Sequence, residues 1–155
     1  MNRFFSADRL LTVFLVLGGV PPMLFGFFAM FFGEAYFHFI GSGVAQSLGH
    51  GQGFAIFLGN LQGGDAFVAG SCRLAAAFLG SLNLKRIFAA IGIFHSGFEL
   101  WLLPTKLLTW CKTTPAAACS DLFYVELYFF LGLHGLLVLG FATGIVLSFR
   151  STATS

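Results

Sequence analysis

The segment DAFVAGSCRLAAAFLGSLN, residues 65–83, decides the fold because it is apolar, rich in small residues, and carries Arg73 near its centre. A charged side chain within the hydrocarbon of a bilayer is costly and requires partners. Small residues are typical of helices that pack closely against other helices. The segment is therefore expected inside a helical bundle, with Glu99 and Glu126 of two later apolar segments as candidate partners of Arg73.

Composition points to a membrane protein of one domain, residues 1–155. Of the 155 residues, 57% are hydrophobic and only 9% are charged, a balance outside the range of soluble globular domains. The net charge of +2 comes without any run of Lys or Arg that would follow a phosphate backbone. We expect lipids and other membrane subunits as partners, and no nucleic acid.

Four segments meet or approach the length of about 20 apolar residues that crosses a bilayer. They are residues 10–32, 65–83, 87–103 and 122–149. Residues 1–20 have the charge pattern of a signal peptide, but we expect them to be retained as part of the first helix. Between the first two spans, residues 35–64 are rich in glycine, which opposes a continuous helix. We predict a long loop there with short interfacial helices, a re-entrant segment being the alternative.

The positive charges between the spans predict the topology. With four spans, five basic residues fall on one side of the membrane and two on the other, which places both termini on the cytoplasmic or matrix-like side. The five are Arg3, Arg9, Lys85, Arg86 and Arg150, and the two are Lys106 and Lys112. The predicted fold class is an all-α integral membrane protein with four transmembrane helices and both termini on the same side.

Arg73, His95, Glu99 and Glu126 are predicted to form a structural polar cluster in one half of the membrane. His95 and Glu99 are four residues apart and so share a helix face. A proton relay or a metal pair is the functional alternative, but one histidine and one carboxylate are fewer than the ligands that a metal site usually needs. We therefore expect no metal and a polar contact that joins helices.

Other residue pairs allow further interpretations. His95 and His134 lie at similar predicted depths on two helices, so they are candidate ligands of a b-type haem, although we expect no cofactor. Cys111 and Cys119 flank an outer loop and are able to form a disulfide in an oxidising compartment.

The positions of prolines and glycines inside the spans lead to two predictions about packing. Pro21 and Pro22 predict a kink in the first span. Gly140 and Gly144 would let another helix approach the last span closely, either a helix of this chain or one of a partner subunit.

The chain has no phosphate-binding loop, nucleophile elbow, CxxC pair or HExxH motif, so we expect no enzyme and no catalytic residues. Within residues 65–103, the pair Cys72-Arg73, then Asn83, then His95-Ser96-Gly97-Phe98-Glu99 resembles the four-span scaffold proteins of ergosterol biosynthesis. That resemblance implies a protein that holds sterol enzymes together in the endoplasmic reticulum without being a catalyst.

The expected function is that of a non-catalytic accessory or scaffold subunit of a multi-subunit membrane complex, with its apolar faces and both termini docked against other proteins. The expected setting is the mitochondrial inner membrane, in a respiratory-chain complex or ATP synthase, because such complexes contain small subunits without soluble domains. The alternatives are a scaffold for membrane sterol- or lipid-synthesis enzymes and a b-haem or quinone-linked redox protein. Alternative locations are the endoplasmic reticulum and the thylakoid membrane.

Overall fold

Four helices make up the regular structure in the computed structural model, which describes residues 6–32, 52–102, 104–105 and 121–152. Side chains are described for residues 6–32, 61–102, 104–105 and 128–150. The helices are α1 (Ala7–Phe31), α2 (Gln52–Leu79), α3 (Leu82–Leu102) and α4 (Asp121–Thr152). The all-helical part of the predicted fold class is therefore observed across the described residues.

Side-chain caps fix where α1 and α3 begin. The Ser6 hydroxyl accepts a hydrogen bond from the backbone N–H of Arg9 at 3.3 Å, and Asp8 places a negative charge in the first turn of α1. Gly80 and Ser81 alone separate α2 from α3, and the Ser81 hydroxyl accepts from the N–H of Leu84 at 3.4 Å. This short connection makes α2 and α3 a helical hairpin.

The glycines of α2 allow its backbone to lie directly against α1. A Cβ atom added at Gly70 would lie 2.6 Å from the carbonyl oxygen of Gly19, and one added at Gly63 would lie 2.6 Å from the Cβ of Ala29. Helix α2 begins at Gln52, so the end of the predicted loop 35–64 is helical, and the predicted boundary at Asp65 was wrong. Close packing of glycine against a neighbouring backbone compensates for its poor helix propensity.

The remaining packing is made by α4. The Phe141 ring is fully buried beside Gly18 of α1 and Gly92 of α3. A Cβ atom added at Gly92 would lie 2.6 Å from this ring, so the ring needs a glycine there. Gly140 and Gly144 face Phe14 and Leu11 of α1, so this glycine pair packs within the chain. The buried core consists of Leu11, Leu15, Ala76, Ala77, Ala89, Leu137 and Phe141.

Each helix runs antiparallel to the next along the bundle. Gly26 contacts Gly63 while Gly19 contacts Gly70, and Arg86 of α3 bonds Ser148 near the end of α4. We call the half of the bundle that holds the α2–α3 turn, Asp8 and Ser148 the closed half. The other half, beyond the level of Gly18, is called the open half.

Within the described residues, two helical stretches are long and apolar enough to cross a membrane, Ala7–Phe31 and Tyr128–Arg150. Only 28% and 22% of their most apolar windows are buried inside the bundle, so most of each helix faces outward. They correspond to the predicted spans 10–32 and 122–149. Helix α2 covers residues 65–79 of the predicted span 65–83, and the turn at Gly80 and Ser81 interrupts that span, because α3 already begins at Leu82. Helix α3 covers residues 87–102 of the predicted span 87–103. Neither α2 nor α3 meets the same criterion within the described residues.

Candidate intramembrane cavity and its polar residues

The two prolines of α1 leave backbone carbonyls without their helical partners. In an α-helix the carbonyl of Gly18 would accept from the N–H of residue 22, but that residue is a proline and has no N–H. Helix α1 nevertheless continues through Pro21 and Pro22 to Phe31. The Nη1 atom of Arg73 donates to the Gly18 carbonyl oxygen at 2.7 Å. A side chain of α2 therefore replaces the hydrogen bond that Pro22 removes.

Arg73 is 4% exposed, so the guanidinium lies inside the bundle as predicted from its position in an apolar segment. The predicted ion pair with Glu99 is not formed, since among the described residues Arg73 bonds only the Gly18 carbonyl. Arg73 instead satisfies the Gly18 carbonyl, which would be a costly buried group without a donor and which a cationic N–H satisfies well. The other predicted partner, Glu126, has a side chain outside the described set.

A cavity of about 660 Å³ lies between the four helices in the open half. Its walls are mostly apolar and include the prolines of α1 and the rings of Phe25, Phe98 and Phe130. Six polar or charged side chains also reach it: Gln62, Asp65, Arg73, His95, Glu99 and His134. Three of the four members of the predicted polar cluster, Arg73, His95 and Glu99, therefore share one cavity.

His95 and His134 meet across the interface between α3 and α4. Their ring centroids are 6.3 Å apart and their planes are inclined by 45°. The Nδ1 atom of His134 is buried and has no hydrogen-bond partner among the described residues. The sequence interpretation that paired these histidines across two helices thus agrees with their observed proximity.

The donor set of the cavity is mixed in charge and poor in metal ligands. No group of three or more His, Cys, Asp and Glu residues is close enough to hold a metal ion in the part of the chain that the structure describes. The guanidinium lies at the level of Gly18, whose carbonyl it bonds, and both imidazoles line the same cavity. Glu99 follows His95 by one helical turn towards the mouth. This arrangement suits hydrogen bonding to a polar group inserted from the open half.

Asp65 and Gln62 are cavity residues that the sequence analysis missed. Asp65 was taken as the end of a membrane span, whereas α2 continues for thirteen residues before it, from Gln52. The spacing of Asp65 and Gln62 from Arg73 places all three within α2, and the glycines at 63 and 70 mark the face of that helix which meets α1. That glycine pattern is the signal that would have predicted a longer helix.

Two basic residues of the closed half join helices, although the sequence indicated only their role in topology. Lys85 Nζ donates to Asp8 Oδ1 at 2.8 Å and to Thr12 Oγ1 at 2.9 Å, which joins α3 to α1. Arg86 Nε donates to Ser148 Oγ at 2.7 Å, and its Nη2 donates to the Ser148 carbonyl oxygen at 2.7 Å, which joins α3 to α4. We refer to these two contacts as the staples.

The cysteine predictions fall largely outside the observed region. Cys111 and Cys119, the predicted disulfide pair, lie outside the described residues. Cys72 is a free thiol on the exposed surface of α2, one position before Arg73.

Comparison of the chain with protein-family models, with curated protein sequences and with solved structures gives no match. The resemblance to the four-span scaffold proteins therefore stays a prediction from residues 65–103, and the argument on function depends on the geometry of the bundle.

Proposed function

We propose that this chain is a non-catalytic structural subunit embedded in a membrane by all four helices, with both termini on the same side. Its outer surface supports this proposal. Phe78, Phe94 and Leu139 are 70%, 78% and 69% exposed, respectively, and they belong to three different helices. Contact of large apolar side chains with lipid or with other apolar protein surfaces is favourable, whereas their exposure to water is costly.

The hydrogen bonds of the basic residues support four membrane spans, although α2 and α3 are less apolar than α1 and α4. Arg73, Lys85 and Arg86 each form hydrogen bonds within the bundle. Polar groups in a bilayer are tolerated where other protein groups satisfy them. Hydrogen-bonded in this way, the three basic residues of the central hairpin are compatible with a transmembrane position.

The single observation that carries the structural role is that these three basic residues each connect two helices. Arg73 joins α2 to α1, Lys85 joins α3 to α1, and Arg86 joins α3 to α4. Each of these three residues thus donates at least one hydrogen bond that connects helices of the bundle. A rigid bundle with an apolar exterior is suited to be a spacer and attachment surface between other membrane subunits.

The proposed setting is an energy-transducing organelle membrane, in particular the mitochondrial inner membrane, within a respiratory-chain complex or ATP synthase. Small size and the low charged fraction of 9% support an accessory subunit without a soluble domain of its own. A scaffold of membrane sterol- or lipid-synthesis enzymes is the alternative assembly for the same bundle.

Affinity purification of the chain in mild detergent, followed by mass spectrometry of the associated proteins, tests the proposal. We expect stoichiometric recovery of respiratory or ATP synthase subunits. Recovery of sterol- or lipid-synthesis enzymes would instead favour the alternative scaffold. A chain that is recovered alone, in every detergent mild enough to preserve known complexes of the same membrane, would contradict a role as a subunit.

The proximity of His95 and His134 favours one second candidate, a b-haem redox protein. Two histidines on neighbouring helices are a common way to hold haem iron. A reduced-minus-oxidised absorption spectrum of the purified chain tests it directly, with His95→Gln and His134→Gln as controls. Under the structural proposal, the spectrum has no haem bands, and either substitution leaves the activity of the assembly intact.

A further inference from the structure

We propose that the cavity in the open half binds a neutral lipid whose head is a planar ring bearing carbonyl oxygens, that is, a membrane quinone. The proposal goes beyond the structural role, because a bundle held by its staples has no need of a polar cavity. It rests on the hydrogen-bond donors of the cavity, on the balance of charge along its walls, and on its shape and size.

The cavity offers N–H donors that the described residues leave unused. A guanidinium has five N–H groups, and Arg73 bonds a single acceptor, the Gly18 carbonyl, among the described residues. The Nδ1 atom of His134, a residue that lines the same cavity, is buried without a partner among the described residues. Buried polar atoms normally find partners. A carbonyl oxygen placed at this level would accept from Arg73 and lie beside the imidazole of His134.

The charges along the walls select a neutral head. Arg73 is opposed by the carboxylates of Glu99 and Asp65, which line the same cavity. An anionic head that reached Arg73 would pass Glu99, and a cationic head that paired with Glu99 would approach Arg73. A group placed among charges of both signs in a medium of low dielectric constant is best accommodated when it is uncharged but polar.

The shape of the walls suits a flat ring attached to an apolar tail. Phe25, Phe98 and Phe130 contribute aromatic surfaces, and Pro21 and Pro22 contribute rigid apolar ones. The volume of about 660 Å³ falls in the range of roughly 300–1,000 Å³ that is usual for sites that bury a small organic ligand. Helix α2 packs mainly against α1 and makes far fewer contacts with α3, so the side of the cavity between α2 and α3 is the less closely packed one, where an apolar tail would enter.

Ligand retention by the full-length chain in detergent tests this proposal. The protein is incubated with decylbenzoquinone, decylbenzene or palmitate, repurified by gel filtration, and extracted for mass spectrometry. Decylbenzene has the ring and tail of the quinone without its carbonyl oxygens, and palmitate has an anionic head. We expect retention of the quinone at least about tenfold above either control, equivalent to about 1.4 kcal/mol. Equal retention of decylbenzene, or preferential retention of palmitate, would overturn the proposal.

Two alanine positions on α2 provide a matched pair of variants that leave Arg73 in place. Both alanines are exposed, but Ala69 lines the cavity and Ala75 does not. Ala69→Phe fills the cavity and is expected to reduce quinone retention at least about tenfold, while Ala75→Phe retains it. Equal retention by both variants would place any bound quinone outside the cavity and refute the site. Association with other subunits is measured separately, so failure of this site and failure of the structural role are distinguishable.

Discussion

The closed and open halves of the bundle use the same kinds of residue in opposite ways. In the closed half, glycines make room for large side chains, as Gly92 does for the Phe141 ring. The two basic residues of the staples donate hydrogen bonds to acceptors on neighbouring helices. In the open half, glycines bring α1 and α2 together, but α3 and α4 stay apart from them and leave a cavity. Arg73 lies at the boundary, with one hydrogen bond to the described residues and a position on the cavity wall.

This difference indicates which half carries stability and which half is available for function. Buried apolar packing and satisfied charges contribute to the free energy of unfolding. A cavity lined by polar atoms without partners contributes little and is characteristic of a binding site. The following substitutions test that division of roles, beginning with the one of largest expected effect.

Replacement of the most deeply buried aromatic ring is expected to be the most damaging change. Phe141→Ala removes a fully buried ring that fills the space between Gly18 and Gly92, and the expected loss is about 3–5 kcal/mol in the free energy of unfolding. The matched control, Phe98→Ala, removes a ring of the open half that is 47% exposed, with an expected loss below about 1 kcal/mol. Unfolding in mixed micelles measures both, and equal losses would remove the distinction between the halves.

Arg73→Met is expected to cost about 1–3 kcal/mol, because the Gly18 carbonyl then remains buried without a donor. The cost should fall in a Pro22→Ala background, since residue 22 regains the N–H that a helix normally directs to Gly18. A double-mutant cycle on unfolding free energies measures this coupling. Additive effects of the two substitutions would show that Arg73 does not act by replacing the hydrogen bond lost at Pro22.

The hydropathy of the sequence predicted the helices, but the packing that sets their ends was not encoded locally. Glycine costs up to about 1 kcal/mol in a helix interior, so residues 52–64 were interpreted as a loop. The compensating term is the contact of Gly63 and Gly70 with α1, which depends on residues more than thirty positions away. Local propensity alone therefore gave α2 a late start at Asp65.

Four of the six polar residues of the candidate site were predicted from the sequence, whereas the hydrogen bond of Arg73 was not. Isolated polar residues in apolar segments identified Arg73, His95, Glu99 and His134, all of which line the cavity. The partner of Arg73 was missed because acidic side chains were considered as acceptors and the carbonyl freed by Pro22 was not. Both elements of that bond were visible in the sequence, yet pairing them requires the register between α1 and α2.

Lys85→Met tests the staple between α3 and α1. It removes the donor to Asp8 and Thr12, and we expect a loss of about 1–2 kcal/mol. The value is below that of a fully buried ion pair because the Asp8 side chain is 53% exposed and is solvated when left alone. Combination with Asp8→Asn should give a total loss smaller than the sum of the two single losses. A strictly additive pair would mean that the contact contributes nothing to stability.

The smallest effects are expected at two serines of similar burial, one in each half. Ser96 and Ser148 are both 0% exposed, but the Ser148 hydroxyl accepts from Arg86 and donates to the Ile145 carbonyl, whereas the Ser96 hydroxyl has no partner among the described residues. Ser148→Ala should therefore cost about 1 kcal/mol. Ser96→Ala should be neutral or slightly stabilising, because it removes a buried polar atom that lacks a hydrogen bond.

Thermal unfolding followed by tryptophan fluorescence compares the two variants. A clear loss of stability on Ser96→Ala would indicate that its hydroxyl is satisfied, by water or by a bound molecule, and that polar groups of the open half contribute to folding as those of the closed half do.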